Sequence, residues 1–144
     1  MKDTVNRRAG TTYPFHLELD TRFTDTDLGG HLNNVSIVLY YRDAQARFML
    51  DCFPDLAAQS EWTPRQVRCD VSYDGQTYYP DPVDVACGVE EVGDSWVRVA
   101  QALFQRGQYV GQCSAVLALV DSQGQHLAIS PEQRARLETR RLRA

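Results

Sequence analysis

The chemically active side chains of this chain are concentrated in one short stretch, residues 24–34, TDTDLGGHLNN. The stretch holds two carboxylates, two amides, one imidazole and two adjacent glycines, namely Asp25, Asp27, Asn33, Asn34, His31, Gly29 and Gly30. A carboxylate can act as a nucleophile or a general base, and glycine lets a ligand approach the backbone closely. A structural turn or a helix cap needs only one such polar side chain. The density of polar groups therefore favours a catalytic or binding loop.

Metal and phosphate chemistry fit this loop less well. The Asp25-x-Asp27 spacing imitates the start of a calcium loop, but Ser36 stands at the twelfth position, where a glutamate is required. A DxD phosphotransferase would need a preceding apolar strand in a doubly wound sheet, which the sequence does not supply. Asp25, Asp27 and His31 could ligate a metal, yet such closely spaced ligands on a glycine-containing loop form a poorly constrained shell. We therefore expect no metal here.

A long helix is predicted to follow the loop, over residues 35–53. The segment VSIVLYY alone is typical of a strand, but it continues without a turn signal into RDAQARFMLDCF. Asn33 or Asn34 can cap the helix. Four apolar residues recur at helical spacing along one face: Ile37, Tyr41, Ala44 and Phe48. The loop is therefore expected to lie directly before a helix N-terminus.

This position gives the loop a specific chemical capability. The backbone N–H groups in the first turn of a helix have no partner within the helix, so they can bind developing negative charge. A carboxylate just before that turn can attack an electrophile or activate water beside it. This combination is the outline of an acyl-transfer site.

The rest of the chain is predicted to form strands joined by tight turns. Residues 67, 69, 71 and 73 alternate in polarity with their neighbours, as in a sheet with one buried face. Turn signals at Gly93-Asp94 and Arg106-Gly107 indicate successive antiparallel hairpins. An earlier strand is expected at residues 16–23, with Phe23 on its apolar side, which makes about five strands.

We expect an α+β fold in which a curved antiparallel sheet of about five strands wraps around one long central helix. The first turns of that helix are apolar almost all round, so the helix has to be enclosed. A short closing helix over residues 131–140 would begin at Ser130 as its cap. The length of 144 residues fits one domain, residues 1–144.

The composition disfavours several classes of protein. A formal net charge of -4 and a pI near 5.3 argue against a dedicated nucleic-acid binder. The N-terminal residues lack the apolar region of an export signal, and no segment is long enough to span a membrane. The four cysteines have neither a CxxC pair nor zinc-finger spacing, which favours free thiols. We expect a cytoplasmic protein.

The stretch RFTDTDLGGHLNN, residues 22–34, resembles the RWxDxDxxGHVNN signature of the hot-dog-fold thioesterases. That group includes 4-hydroxybenzoyl-CoA thioesterase and the plant acyl-carrier-protein thioesterases. Residues 79–104 and the closing SPEQRARL segment also resemble the family. The resemblance implies a hot-dog fold, an acyl-CoA or acyl-carrier-protein thioester as substrate, and no cofactor. It also implies a homodimer or dimer of dimers, with active sites at the subunit interface.

The resemblance also assigns roles within the loop. Asp27 matches the catalytic carboxylate, either as nucleophile or as general base. Asn34 matches the residue that begins the helix and presents its backbone N–H to the thioester carbonyl. His31 and Asn33, with Gly30, match the GHxNN positions, which support catalysis or shape the substrate site.

Several positions depart from the family pattern NNxxYxxYxExAR. Ile37 replaces the first tyrosine, Arg42 the glutamate and Gln45 the arginine, and Gly29 stands where the plant enzymes carry an asparagine. These departures leave open a catalytically silent hot-dog protein that binds an acyl thioester or a protein partner. A related lyase such as a hydratase is a second alternative, although it would be expected to place an Asp/His pair in a different local setting.

Overall fold

The structure is a computed structural model that describes residues 5–144, so the first four residues of the N-terminal segment considered above lie outside it. Five strands form one sheet: β1 Phe15–Leu19, β2 Thr63–Tyr73, β3 Val83–Val92, β4 Trp96–Gln105 and β5 Gln108–Val120. The two α-helices are α1 Asn34–Cys52 and α2 Pro131–Glu138. All neighbouring strands are antiparallel, in the order β1-β3-β4-β5-β2. The predicted α+β architecture, a curved sheet with one long helix, is confirmed.

Helix α1 packs its apolar face against the sheet. The four residues predicted to share that face, Ile37, Tyr41, Ala44 and Phe48, are all buried in the main core. They meet inward-facing residues of the central strands, among them Val85, Val99 and Leu103. Removal of this apolar surface from water stabilises the helix far more than its intrinsic propensity does. The N-terminus of α1 is thereby fixed at one end of the sheet.

Strand β2 lies at the edge of the sheet and contains a bulge that the alternation pattern did not predict. The register against β5 shifts between Gln66 and Arg68, which leaves Val67 at the bulge. Val67 is 48% exposed, whereas Gln66 is half-buried together with Cys69. The prediction that Val67 belongs to the buried face is therefore wrong, because one extra residue reverses the alternation on that side of the bulge. It is also wrong for Tyr73, which is 43% exposed at the end of the strand.

The first strand is shorter than predicted. Strand β1 ends at Leu19, and residues 23–25 form a single turn of 3-10 helix. Phe23 is 75% exposed and does not share an apolar side with the strand. The chain leaves the sheet early because Asp25 bonds back to the backbone of Arg22 and closes the turn.

The hairpins and the closing helix agree with the sequence patterns. Strands β4 and β5 are joined at Arg106 and Gly107, both of which have positive φ, as a tight two-residue hairpin requires. Ser130 caps α2 by accepting a hydrogen bond from the Gln133 N–H at 3.1 Å. Within residues 5–144, neither helix has both the length and the apolar character that crossing a membrane would require.

Candidate active site

The loop between β1 and α1 is held in place by its backbone. The Asp27 N–H donates to the His31 carbonyl at 2.8 Å, and the Asn33 N–H donates to the Asp25 carbonyl at 2.9 Å. The Leu32 N–H donates to the Thr77 carbonyl at 3.0 Å, which ties the loop to the segment after β2. These bonds fold residues 25–33 back on themselves at the N-terminus of α1. The loop is thus a defined structure that can hold side chains in position.

Asp25 forms the buried base of the loop. Its side chain accepts hydrogen bonds from the Tyr40 hydroxyl at 2.6 Å and the Arg22 N–H at 3.1 Å, and the residue is 4% exposed. The Arg22 guanidinium lies 3.4 Å from its second oxygen. Burial alone would raise the pKa of Asp25, but the bonds from Tyr40 and Arg22 outweigh it, and the pKa is lowered. Asp25 is therefore an ionised structural group.

Asp27 lies at the exposed tip of the same loop. Its Oδ1 accepts a hydrogen bond from the Gly29 N–H at 2.9 Å, which fixes the rotation of the side chain. Within residues 5–144 no donor bonds to its Oδ2. The carboxylate is thus oriented by one oxygen and open to a ligand through the other. Of the two carboxylates in the loop, Asp27 is the one with an oxygen open to a ligand.

Asn33 and Asn34 have different roles at the start of α1, and the sequence alone did not show which of them is the cap. Asn33 is the cap, because its side chain accepts a hydrogen bond from the Ser36 N–H at 2.8 Å. Asn34 is the first helical residue, and its side chain is exposed. The first main-chain bond of the helix runs from the Ile37 N–H to the Asn33 carbonyl at 3.2 Å. The N–H groups of Asn34 and Val35 precede that bond and remain available to a ligand.

His31 lies beside Asp27, on the other side of Gly29. A Cβ atom at Gly29 would stand 3.0 Å from His31 Nδ1 and 3.5 Å from Asp27 Oδ1. The two side chains therefore flank Gly29, and a Cβ atom at this position would make a tight contact with the imidazole. The ring of His31 also packs against Tyr78, with 5.1 Å between the ring centroids.

Glycine at position 30 is explained by its backbone conformation. Its φ is +77°, a backbone conformation that side chains disfavour. This conformation lets the Gly30 N–H donate to the Asp27 carbonyl at 3.3 Å and closes the tip. Gly30 therefore shapes the loop, and its side of the loop stays open to solvent.

Sequence reasoning missed Gln105, which supports the loop from below. Gln105 is 4% exposed and forms a pair of hydrogen bonds, each 2.8 Å, with the N–H and the carbonyl of Tyr78. Its amide also donates to the Asp81 carbonyl at 3.0 Å. Because Tyr78 packs against His31 and its neighbour Thr77 bonds to Leu32, Gln105 fixes the segment on which the loop rests. The available signal was a glutamine directly after the apolar residues 102–104 of β4.

A cavity of about 290 Å³ opens beside the N-terminus of α1. It is lined by Leu32, Asn34, Ile37, Tyr73, Asp74, Gly75, Gln76 and Thr77. The Tyr73 hydroxyl donates to the Asn34 carbonyl at 3.2 Å and so joins the helix to the edge strand at this point. A ligand carbonyl in this cavity would lie against the first turn of the helix. In the part of the chain that the structure describes, no cluster of His, Cys, Asp and Glu suits a metal ion.

The sequence of this chain is similar to that of a known protein family. Residues 21–137 match the family model of the thioesterase-like superfamily. No curated protein matches the chain by sequence.

Solved structures match the fold over most of the chain. A protein from Pseudomonas aeruginosa strain PAO1 has 24% identity and a TM-score of 0.83, with 92% of this chain and 95% of that chain covered. A thioesterase complexed with coenzyme A and Zn from Thermus thermophilus has 23% identity and a TM-score of 0.79, over 89% and 94%. A DHNA-CoA thioesterase from Staphylococcus aureus has 16% identity and a TM-score of 0.76, over 86% and 88%. At these identities the similarity establishes a shared fold.

Proposed function

The chain belongs to the thioesterase-like superfamily, and on that premise we propose that it hydrolyses an acyl-CoA thioester to a free acid and coenzyme A. An acyl-carrier-protein thioester is the related alternative substrate. The observation that supports this function most directly is an exposed carboxylate in the loop that leads into a helix with free N-terminal amides. Asp27 is oriented by the Gly29 N–H and otherwise open, while the Asn34 N–H faces no acceptor within the helix. These are the two groups that acyl transfer requires.

The chemistry follows from the positions of these two groups. The Asn34 N–H, at the positive end of the α1 dipole, donates to the carbonyl oxygen as negative charge develops on it. As a nucleophile, Asp27 attacks the carbonyl carbon, expels the CoA thiolate and leaves an anhydride that water hydrolyses. As a general base, Asp27 takes a proton from water, the resulting hydroxide adds to the carbonyl, and the thiolate leaves. Both routes give the same products and need the same geometry.

His31 and Asn33 support this chemistry in different ways. The side chains of His31 and Asp27 both flank Gly29, and in the proposed mechanism His31 orients a water molecule or the thioester sulfur. Asn33 caps the first turn of α1 by accepting a hydrogen bond from the Ser36 N–H. Gly30 lets the loop tip turn back toward the helix. We therefore assign His31 to catalytic support, and Asn33 and Gly30 to shaping the substrate site.

We also propose that the functional unit is a homodimer or a dimer of dimers, with the site at the subunit interface. Strand β2 is an edge strand with one unpaired side. Apolar side chains are exposed on the outer face of α1 and around the site loop, including Val35, Leu39, Phe23 and Leu28. A second subunit would cover these surfaces. Sedimentation at micromolar concentration should show a species larger than the 16.3 kDa chain, and a monomer alone would contradict this assembly.

The function is tested by incubating the protein with a panel of acyl-CoA thioesters. We expect release of free thiol together with the free acid, identified by mass spectrometry. Binding of the thioesters without turnover would instead support the silent binding protein. Addition of water to an intact thioester would support the hydratase.

A further inference from the structure

Arg42 is linked to the bulge of β2 through a chain of two glutamines. Its Nη1 donates to Gln45 Oε1 at 2.9 Å, and Gln45 Nε2 donates to Gln66 Oε1 at 3.1 Å. Gln45 is 4% exposed, so its amide is fixed by these two bonds. Gln66 reaches it because the bulge at Val67 brings Gln66 onto the helix side of the strand. Arg42 is exposed, and its guanidinium is anchored beside α1 through one nitrogen.

The charge of Arg42 has no partner among the described residues. Most arginines in residues 5–144 pair with a carboxylate: Arg7, Arg22, Arg47, Arg68, Arg98, Arg106, Arg136, Arg140 and Arg141. Arg42 forms no such ion pair, and within residues 5–144 only its bond to Gln45 is present. A guanidinium carries five N–H donors in a fork that matches a carboxylate. Its remaining donors are free for an anion.

An apolar cavity of about 210 Å³ lies directly beside this guanidinium. Arg42 and Gln45 form its polar part, and the rest of the lining is apolar: Ala46, Met49, Leu50, Leu56, Ala57, Pro64 and Leu117. A ligand that fits both parts has an apolar body and an anionic group. This combination describes an aliphatic carboxylate.

The cavity lies further along the same side of the helix as the proposed reaction centre. Asn34, Val38 and Arg42 are spaced four residues apart, so they follow one side of α1, and Arg42 is about 12 Å beyond Asn34 along the axis. Strand β2 runs beside them, from the Tyr73 contact with Asn34 to the Gln66 contact with Gln45. In the proposed binding mode, an acyl group with its carbonyl at Asn34 extends along this side toward Arg42.

We propose that the acyl group of the substrate ends in a carboxylate and that Arg42 binds it. The substrate is then the monothioester of a medium-chain dicarboxylic acid. This inference rests on the proposed thioesterase function for its catalytic part, but not for the binding of a carboxylate at Arg42. A charged hydrogen bond to guanidinium favours this substrate over one that ends in a methyl group, which would leave the guanidinium without an anion.

The test compares two substrates of equal chain length, suberoyl-CoA and octanoyl-CoA. We expect the wild-type protein to prefer suberoyl-CoA by at least tenfold in kcat/KM. Arg42→Gln should remove that preference, mainly through KM, and leave octanoyl-CoA hydrolysis within about twofold. Arg47→Gln is the matched control, because Arg47 lies on the same helix, is exposed and pairs with Asp43 at 2.9 Å. It should retain the wild-type preference.

Equal turnover of both substrates by the wild-type protein would overturn the proposal. So would an Arg42→Gln protein that loses both activities equally and dissociates in sedimentation, because Arg42 would then pair with a carboxylate of another subunit.

A binding measurement separates this proposal from the proposed function. Suberate alone should bind the wild-type protein in calorimetry, with affinity reduced at least tenfold by Arg42→Gln and unchanged by Arg47→Gln. If no thioester is hydrolysed but suberate binds in this pattern, the hydrolase function fails and the carboxylate site stands. If thioesters are hydrolysed but suberate binds the wild-type and Arg42→Gln proteins equally, the carboxylate site fails and the hydrolase function stands.

Discussion

The base and the tip of the loop before α1 use the same type of residue in opposite ways. At the base, Asp25 is buried and accepts hydrogen bonds from Tyr40 and Arg22. At the tip, two residues later, Asp27 is exposed and bonded through one oxygen only, to the Gly29 N–H. A carboxylate whose oxygens are occupied stabilises the loop, and one with a free oxygen can react. The environment of each aspartate, rather than its type, thus indicates its role.

The largest effect is expected from removing the backbone N–H of Asn34, at the end of α1 next to the loop. Asn34→Pro deletes the proposed donor to the thioester carbonyl, and we expect kcat to fall by about 10²–10³-fold. Proline is tolerated at the first helical position, and Asn33 already has the extended backbone that precedes a proline, with ψ 158°. Asn34→Ala keeps the N–H and should retain most activity. Circular dichroism should show both variants folded, and wild-type turnover by a folded Asn34→Pro would exclude this N–H from the mechanism.

A second variant removes a hydrogen bond at the base of the loop. Tyr40→Phe removes the hydroxyl that donates to the buried Asp25 carboxylate. That charge then lacks one of its hydrogen bonds, so the free energy of unfolding should fall by about 1–3 kcal/mol. Urea denaturation measures this loss. Tyr73→Phe is the matched control, because Tyr73 is more exposed and, among residues 5–144, its hydroxyl bonds only to the Asn34 carbonyl, at 3.2 Å. Equal losses of stability in the two variants would contradict a special role for the Asp25 base.

The helix cap should have a smaller effect. Asn33→Ala removes the acceptor for the Ser36 N–H and should lower the free energy of unfolding by about 0.5–2 kcal/mol. Asn33→Ser should recover most of that loss, since serine is an equally good cap. Asn34→Ala should leave stability nearly unchanged in the same denaturation experiment. If Asn34→Ala lowered the free energy of unfolding more than Asn33→Ala does, the assignment of the cap to Asn33 would be wrong.

The smallest expected effect is a pH dependence of stability due to Asp25. Its hydrogen bonds hold the pKa below the ordinary value, so the ionised form stabilises the fold. This contribution is fully present above the unfolded pKa of about 3.9, and it is lost as the pH falls through the lower pKa of the folded state. The difference in unfolding free energy between wild type and Asp25→Asn should therefore be constant from neutral pH to about pH 5 and shrink below about pH 4. A difference that grows on acidification would contradict the lowered pKa.

Much of the fold could be predicted because local patterns and tertiary packing agree. The spacing of Ile37, Tyr41 and Phe48 indicated the buried face of α1, and the Arg106-Gly107 turn indicated the β4–β5 hairpin. In both cases a period or a turn residue is enough to define the element.

Other features depend on partners that are distant in the sequence. The bulge at Val67 arises from the register between β2 and β5, which alternation alone cannot reveal. The support that Gln105 gives to Tyr78 depends on a contact across 27 residues. At Asn33 and Asn34 the sequence offers two equally good caps, so only the structure distinguishes them.

The division of roles between Asp25 and Asp27 is tested most directly by replacing each with asparagine and measuring turnover and stability side by side. Asp27→Asn keeps the shape and much of the hydrogen bonding but removes the reactive charge, so kcat should fall by at least about 10²-fold with little change in unfolding free energy. Asp25→Asn should lose stability and show the milder loss of kcat. Equal losses of kcat at the two positions, or a larger loss at Asp25, would contradict Asp27 as the catalytic carboxylate.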